Sequence, residues 1–131
     1  MLNLNYKKLE VWKVSKELCL FIYKITKQFP KEEIYAITSQ IRRSVVSIPS
    51  NIAEGYAKSS VKEQLKFIEI AYGSFYELTT QTDIAYELEY ITEVDYKTFI
   101  FIAERLSKLL YGYKKSIQNR STENGEQKTE N

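Results

Sequence analysis

The sequence of 131 residues contains no histidine, one cysteine, four glycines and two prolines. Without histidine the chain cannot build a Ser-His relay or an imidazole metal ligand, which excludes most common hydrolase and metalloenzyme designs. A single cysteine cannot form a disulfide within the chain, which favours a reducing compartment. The scarcity of glycine and proline argues against a turn-rich β-sandwich and against a low-complexity chain.

Long apolar runs are also missing. Lysines interrupt the apolar residues of the N-terminal segment, so no signal peptide is predicted, and no window approaches the roughly 20 apolar residues of a membrane span. We therefore expect a cytoplasmic protein without membrane association. The length suits one domain. The balance of 19 basic and 17 acidic side chains says little about partners by itself.

Apolar residues recur at helical spacing along almost the whole chain. The clearest run, in the second segment, steps by three or four residues: Ile34, Ile37, Ile41, Val45, Ile48 and Ile52. This helix is expected to begin near Pro30, and Pro49 inside it predicts a kink, because proline removes a helical hydrogen bond. Four such segments joined by short turns predict an all-α fold, an up-down-up-down antiparallel four-helix bundle over residues 1–118. The remaining segment, 119–131, has no strongly apolar residue and predicts a disordered polar tail.

Antiparallel helices would sort the charges toward opposite ends of the bundle. One end would collect eight lysines that are candidate contacts to an RNA or DNA backbone: Lys7, Lys8, Lys13, Lys58, Lys62, Lys66, Lys114 and Lys115. Lysines spread over one surface can neutralise phosphates and release their counterions. The alternative is that they are ordinary solvated lysines near helix ends. From residue 69 to residue 95 every charged side chain is acidic, which predicts an acidic opposite end.

Polar side chains also follow the flanks of the second and third helices. They predict either a polar network within the chain or an interface between subunits, and the spacing alone does not decide between the two. The candidates are Tyr35, Gln40, Arg42, Arg43, Ser47, Asn51, Glu54, Ser74, Glu77 and Gln81. Glu54 with Arg43, or Glu77 with either arginine, could form charge-assisted hydrogen bonds. The chain has eleven tyrosines, a residue type that is enriched at protein interfaces.

Several blocks of the sequence carry a family resemblance. They include Leu9-Glu10-Val11-Trp12, the segment 29–35 and the nearly unbroken block 38–55, which runs from Thr-Ser-Gln-Ile-Arg-Arg to Asn-Ile-Ala-Glu-Gly. Over about residues 8–115 the chain resembles the bacterial four-helix-bundle family of 23S rRNA intervening-sequence proteins. The resemblance implies a small helical protein that assembles as a ring-shaped homopentamer. A related branch, the accessory variability proteins of diversity-generating retroelements, binds nucleic acid and a reverse transcriptase through a basic pentameric barrel.

Three functions are therefore weighed. The first is a non-enzymatic homo-oligomer, a pentamer, whose basic end contacts an RNA or DNA backbone. The second is a scaffold or adaptor for another protein, such as a nucleic-acid enzyme, with no nucleic-acid binding of its own. The third is an enzyme that uses its carboxylates. A di-metal bundle would need Glu-x-x-His pairs, which this sequence cannot form, so we expect no catalytic residues, no metal and no cofactor.

Overall fold

The computed structural model describes residues 2–129, with side chains described for residues 2–120. The described chain is helical and contains no strand. Two short 3-10 helices, Asn5–Lys8 and Lys31–Glu33, accompany four longer helices: α1 (Glu10–Thr26), α2 (Ile37–Tyr56), α3 (Val61–Glu87) and α4 (Glu93–Thr129). The four long helices pack together as a bundle, which confirms the predicted fold class.

Each long helix packs against its neighbour in sequence, and α1 also packs against α4, so the four helices surround one core. Contacts between α2 and α3 occur in opposite order along the two helices. Ser44 reaches Gln81, whereas Ser47, one turn later in α2, reaches Ser74, two turns earlier in α3. These two helices therefore run antiparallel. The up-down-up-down order of the whole bundle stays a prediction.

The predicted apolar stripes form the core. Its fully buried side chains include Leu18 and Ile22 of α1, Ile41, Ile48 and Ile52 of α2, Ile68 and Leu78 of α3, and Phe99 and Leu106 of α4. Burial of each such side chain contributes about 1.5–3 kcal/mol, so the stripes supply most of the force that holds the helices together. Pro49 lies inside α2, which continues on both sides of it. A kink at this residue stays a prediction.

The second helix begins later than the sequence predicts. Lys31–Glu33 form a separate 3-10 helix, and α2 begins only at Ile37. The backbone of Ala36, with φ −120° and ψ −114°, lies outside the helical region and separates the two elements. Ile34 consequently falls outside the buried stripe and remains 45% exposed.

The bounds of α4 extend past residue 118, where the sequence suggests that the bundle ends. Arg120 is the last residue whose side chain is described, and its Nη2 donates a hydrogen bond of 3.1 Å to Gln64 Oε1 in α3. The side chains of residues 121–129, and residues 130 and 131 as a whole, lie outside the described residues. The disordered tail predicted for residues 119–131 therefore stays a prediction.

Candidate functional site

Four segments of the chain meet at one end of the bundle. A surface hollow there is lined by residues that precede α1, end α2, begin α3 and belong to the later turns of α4: Asn3, Leu9, Tyr56, Gln64, Tyr113, Ser116 and Arg120. Gln64 links three of these segments. Its Nε2 donates a 2.8 Å hydrogen bond to the Lys58 carbonyl, and its Oε1 accepts from Arg120. Segments that carry the candidate lysines thus meet at this end of the bundle, and we call this end, with the eight lysines, the basic end. That the lysines bind a nucleic-acid backbone stays a prediction.

The lysines of the basic end differ in how far their charge is already partnered. Lys13 pairs with Glu10 at 3.5 Å, and the Lys58 ammonium lies 5.2 Å from the ring centre of Phe67. Four lysines are exposed and have no ion-pair partner or ring contact among the described residues: Lys7, Lys8, Lys62 and Lys66. Lys115 is exposed as well and lies over the ring of Tyr111. The exposed lysines retain the donors that a phosphate needs.

Lys114 is the most constrained of the eight lysines. Its ammonium contacts the Glu69 carboxylate and lies 5.2 Å from the ring centre of Tyr72. The hydrogen bond to Glu69 raises the pKa of Lys114, although partial burial opposes the effect. Glu69, which the sequence groups with the acidic end, therefore belongs to the basic end and neutralises one of its charges.

Three of the ten polar candidates, Ser47, Asn51 and Ser74, form a network within the chain, and a fourth, Gln81, is bound separately by Ser44. The hydroxyls of Ser47 and Ser74 are 2.7 Å apart, and Asn51 Nδ2 donates to the Ser47 carbonyl and hydroxyl at 2.8 and 3.0 Å. Ser44 donates to Gln81 Oε1 at 2.9 Å. Ser47 and Asn51 are four residues apart and therefore lie on the flank of α2 that faces α3. Ser44 lies three residues before Ser47 on the same flank. Ser44 was absent from the predicted set, although its position could have revealed it.

The ion pairs predicted for this surface do not form within the described part of the chain. Arg42 lies on the other flank of α2, where its Nε donates to Thr26 Oγ1 at 2.9 Å and its guanidinium carbon lies 4.9 Å from the ring centre of Tyr23. Five candidates are exposed and have no side-chain partner among the described residues: Tyr35, Gln40, Arg43, Glu54 and Glu77. Tyr35 is the extreme case, with 95% of its surface exposed. These side chains are free to contact another molecule.

The opposite end of the bundle holds acids that are bound to tyrosines. Tyr90 donates a 2.8 Å hydrogen bond to Glu33 Oε2, and this bond raises the pKa of Tyr90. Tyr96 donates a hydrogen bond of 3.0 Å to Asp83 Oδ1. The pKa of Tyr96 is raised mainly by burial and further by this bond. The Tyr90–Glu33 bond joins segments that are 57 residues apart, and the Tyr96–Asp83 bond closes the turn between α3 and α4.

The described residues include no group of three or more cysteine, aspartate or glutamate side chains placed to hold a metal ion. Within the same part of the chain, no helix combines the length and apolar character that crossing a bilayer requires. The described surface offers a set of exposed lysines and several unpartnered aromatic and charged side chains. Between α2 and α3 lies a polar seam, formed by Ser47, Asn51 and Ser74. The fold defines the chain as a small helical-bundle protein.

Comparison with known proteins identifies the family. Residues 7–112 match the 23S rRNA-intervening sequence protein family, and the chain belongs to this family. A crystal structure of a protein of unknown function from the S23 ribosomal protein family of Bacteroides thetaiotaomicron is 26% identical, with a TM-score of 0.71 over 80% of this chain and 98% of that one. No curated protein matches the chain. The family resemblance carried by the sequence blocks is thus confirmed.

Proposed function

We propose that this protein is a non-enzymatic homo-oligomer, a ring of five subunits, whose basic end binds the phosphate backbone of RNA or DNA. The observation that carries the proposal is the meeting of four chain segments at one end, with exposed lysines on several of them. Backbone binding requires only positive charge spread over a surface, because each neutralised phosphate releases condensed counterions. The lack of histidine anywhere in the sequence supports a binding role over a catalytic one.

Assembly into a ring would increase the number of lysines that one nucleic acid can contact. A single subunit presents few unpaired lysines, and its formal net charge is only +2. In a ring, equivalent lysines recur around one axis, so several can engage one nucleic acid at once and raise the affinity well above that of one subunit. Light scattering on the purified full chain tests the ring. We expect five times the 15.4 kDa mass of one chain; a monomer, or a dimer that persists at high concentration, would contradict the expectation.

Retention of a structured RNA at low salt tests the nucleic-acid part of the proposal. The variant Lys62→Glu/Lys66→Glu reverses two exposed lysines of the basic end that have no ion-pair partner among the described residues, and should bind RNA much more weakly. The variant Lys24→Glu/Lys97→Glu makes the same charge change at exposed positions outside the basic end and should bind like the wild type. Equal binding by all three proteins, or no retention by the wild type, would refute the proposal.

The exposed aromatic and apolar side chains favour a second candidate function, a scaffold for another protein. Tyr35 is 95% exposed, and Leu20 and Phe101 are 63% and 65% exposed. Aromatic side chains contribute large contact areas to protein interfaces. Under this alternative, a stoichiometric protein partner co-purifies with the chain and stays bound after nuclease treatment. Loss of the partner on nuclease treatment would favour nucleic-acid binding instead.

A further inference from the structure

A cleft lies beside the first turns of α2, at the end of that helix opposite to the basic end. It has a volume of about 620 Å³ and is bordered by α1, by the turn that precedes α2 and by α2 itself. A neighbouring hollow of about 430 Å³ shares Ile34, Thr38 and Arg42 with it. We call the two together the α2 cleft. Their combined size suits a small organic molecule rather than a bare ion.

The first turn of α2 borders the cleft and has main-chain donors without helical acceptors. Ala36, which precedes the helix, provides no side-chain cap. The first main-chain hydrogen bond into the helix runs from the Gln40 N–H to the Ala36 carbonyl, at 3.0 Å. The N–H groups of residues 37–39 therefore lack an acceptor from the helix itself. Free N–H groups and the positive end of the helix dipole favour an anion at this position.

Thr38 provides an independent indication of a ligand. It is 1% exposed and lines both parts of the α2 cleft. Among the buried side-chain polar atoms of the described residues, only its Oγ1 and that of Thr82 have no hydrogen-bond partner. Buried hydroxyls in folded proteins are nearly always hydrogen-bonded, and one without a partner costs free energy. A bound acceptor beside Thr38 would remove that cost.

Cationic side chains surround the same cleft. Arg42 uses only Nε in its bond to Thr26, so its terminal guanidinium nitrogens are available in the described structure. Arg43 lines the cleft and is exposed, while Lys27 and Lys31 line the neighbouring hollow. In the described structure no acidic side chain lines either part. The cleft therefore combines positive charge, N–H donors and an unsatisfied hydroxyl.

Neither of the acids nearest in sequence, Glu32 and Glu33, lines the cleft. Glu33, three residues before Ala36, holds its carboxylate against the Tyr90 hydroxyl at 2.8 Å. Tyr90 in turn packs on Phe29, with ring centres 5.5 Å apart. This contact ties the Glu33 carboxylate to the α3–α4 turn. The turn that carries two acids thus presents its lysine, Lys31, to the cleft.

We propose that the α2 cleft binds a phosphate monoester whose organic group is aromatic or otherwise apolar. The phosphate would lie at the first turn of α2, between Thr38 and the guanidinium groups of Arg42 and Arg43. Guanidinium groups and helix N-termini are the donors that phosphate oxygens prefer. The organic group would pack against the apolar side chains that line the cleft, such as Tyr23 and Val46. The site is separate from the basic end, so its test does not depend on nucleic-acid binding.

Calorimetric titration of the full chain tests the proposal with three probes: phenyl phosphate, inorganic phosphate and phenol. We expect phenyl phosphate to bind most tightly, inorganic phosphate more weakly and phenol not measurably, because only the first ligand uses both the donors and the apolar walls. A nucleoside 5′-monophosphate, used as a fourth probe, distinguishes the source of the ester. If this nucleotide binds more tightly than phenyl phosphate, the ligand of the cleft is a nucleotide. If it binds more weakly, the ligand is a smaller phosphate ester.

Two variants locate the ligand. Arg43→Gln removes an exposed cation with no partner among the described residues, and should weaken phenyl phosphate binding about tenfold or more, as expected for a lost charge-assisted hydrogen bond. Thr38→Val keeps the shape of the side chain and removes the unsatisfied hydroxyl. It should weaken binding while raising the melting temperature of the unliganded protein. The matched control Lys62→Gln removes one charge from the basic end and should leave binding unchanged.

Three results would overturn the proposal. Failure of phenyl phosphate to bind at millimolar concentration would show that the cleft is not a phosphate site. Equal affinity for phenol and for phenyl phosphate would show that the cleft binds only the apolar part of the ligand. Equal weakening by Arg43→Gln and Lys62→Gln would show that the anion responds to overall charge and not to this cleft. None of these results bears on RNA retention by the basic end.

Discussion

Gly55 and Gly73 lie in helices that pack against each other, yet alanine should have opposite effects at the two positions. A Cβ atom at Gly55 would lie 2.9 Å from Phe67 Cβ and 3.4 Å from the Gln64 carbonyl oxygen. A Cβ atom at Gly73 would meet no atom of the described residues within 4 Å, apart from its own stretch of helix. Because Phe67 Cβ is fixed to its own backbone, Gly55→Ala requires α2 and α3 to move apart at this point.

The magnitudes follow from two terms. Alanine is more favourable than glycine in a helix interior by about 1 kcal/mol, so Gly73→Ala should raise the free energy of unfolding by about that amount. Overpacking a closely packed contact costs about 1–3 kcal/mol. Gly55 is the penultimate residue of α2, so the opposing helix gain there lies between about zero and 1 kcal/mol. The net change for Gly55→Ala is then a loss of between about zero and 3 kcal/mol.

Urea unfolding followed by helical circular dichroism, at one protein concentration, measures both changes. Gly112→Ala is a second control, because a Cβ atom there likewise meets no neighbouring segment within 4 Å in the part of the chain that the structure describes. We expect Gly73→Ala and Gly112→Ala to unfold at higher urea than the wild type, and Gly55→Ala at the same or lower urea. A Gly55→Ala protein as stable as Gly73→Ala would refute the close approach of α2 and α3.

Further predictions concern the polar seam, alkaline pH and the thiol. Ser47→Ala and Ser74→Ala should each lower the free energy of unfolding by about 1 kcal/mol, and the double variant should lower it by less than the sum of the two. Urea unfolding of the wild type and the three variants measures these changes. Strict additivity would contradict the hydrogen bond between Ser47 and Ser74. Hydrogen bonds donated to carboxylates raise the pKa of Tyr90 and of Lys114 in the folded protein. These bonds therefore contribute fully to stability below the pKa values of the unfolded chain, and their contribution is lost as the pH rises through the pKa values of the folded protein. The melting temperature should accordingly fall between about pH 9 and pH 12. A melting temperature that stays constant over this range would contradict the prediction. Burial raises the pKa of the Cys19 thiol, so alkylation of the native chain should be slower than in urea, and equal rates would argue against that burial.

The core of the bundle could be predicted because helical periodicity is a local property of the sequence. Ile41, Val45, Ile48 and Ile52 step by three or four residues, and all four are fully buried. The start of α2 could not be predicted in the same way. A proline followed by acids is typical of a first helical turn, but here that turn is separated from α2 at Ala36. The bond from Tyr90 to Glu33 fixes it from a distant part of the chain, which local pattern does not reveal.

The candidate site shows the same division between local and distant information. The polar seam was predictable because Ser47 and Asn51 lie on one flank of α2, and Ser74 offers a partner on α3. The partner of Arg42 was not predictable, because its guanidinium turns toward α1 and not toward the carboxylates of α3. The unsatisfied hydroxyl of Thr38 likewise depends on how neighbouring segments pack, and nothing in the spacing of the sequence indicates it.

The salt dependence of RNA binding tests the central claim, backbone binding by the basic end, most directly. The logarithm of the affinity should fall linearly with the logarithm of the salt concentration, and Lys62→Gln/Lys66→Gln should reduce the slope by about one for each lysine that contacts a phosphate. Lys24→Gln/Lys97→Gln should leave the slope as it is in the wild type. An affinity that does not change with salt, or a slope that only the second variant reduces, would contradict the claim.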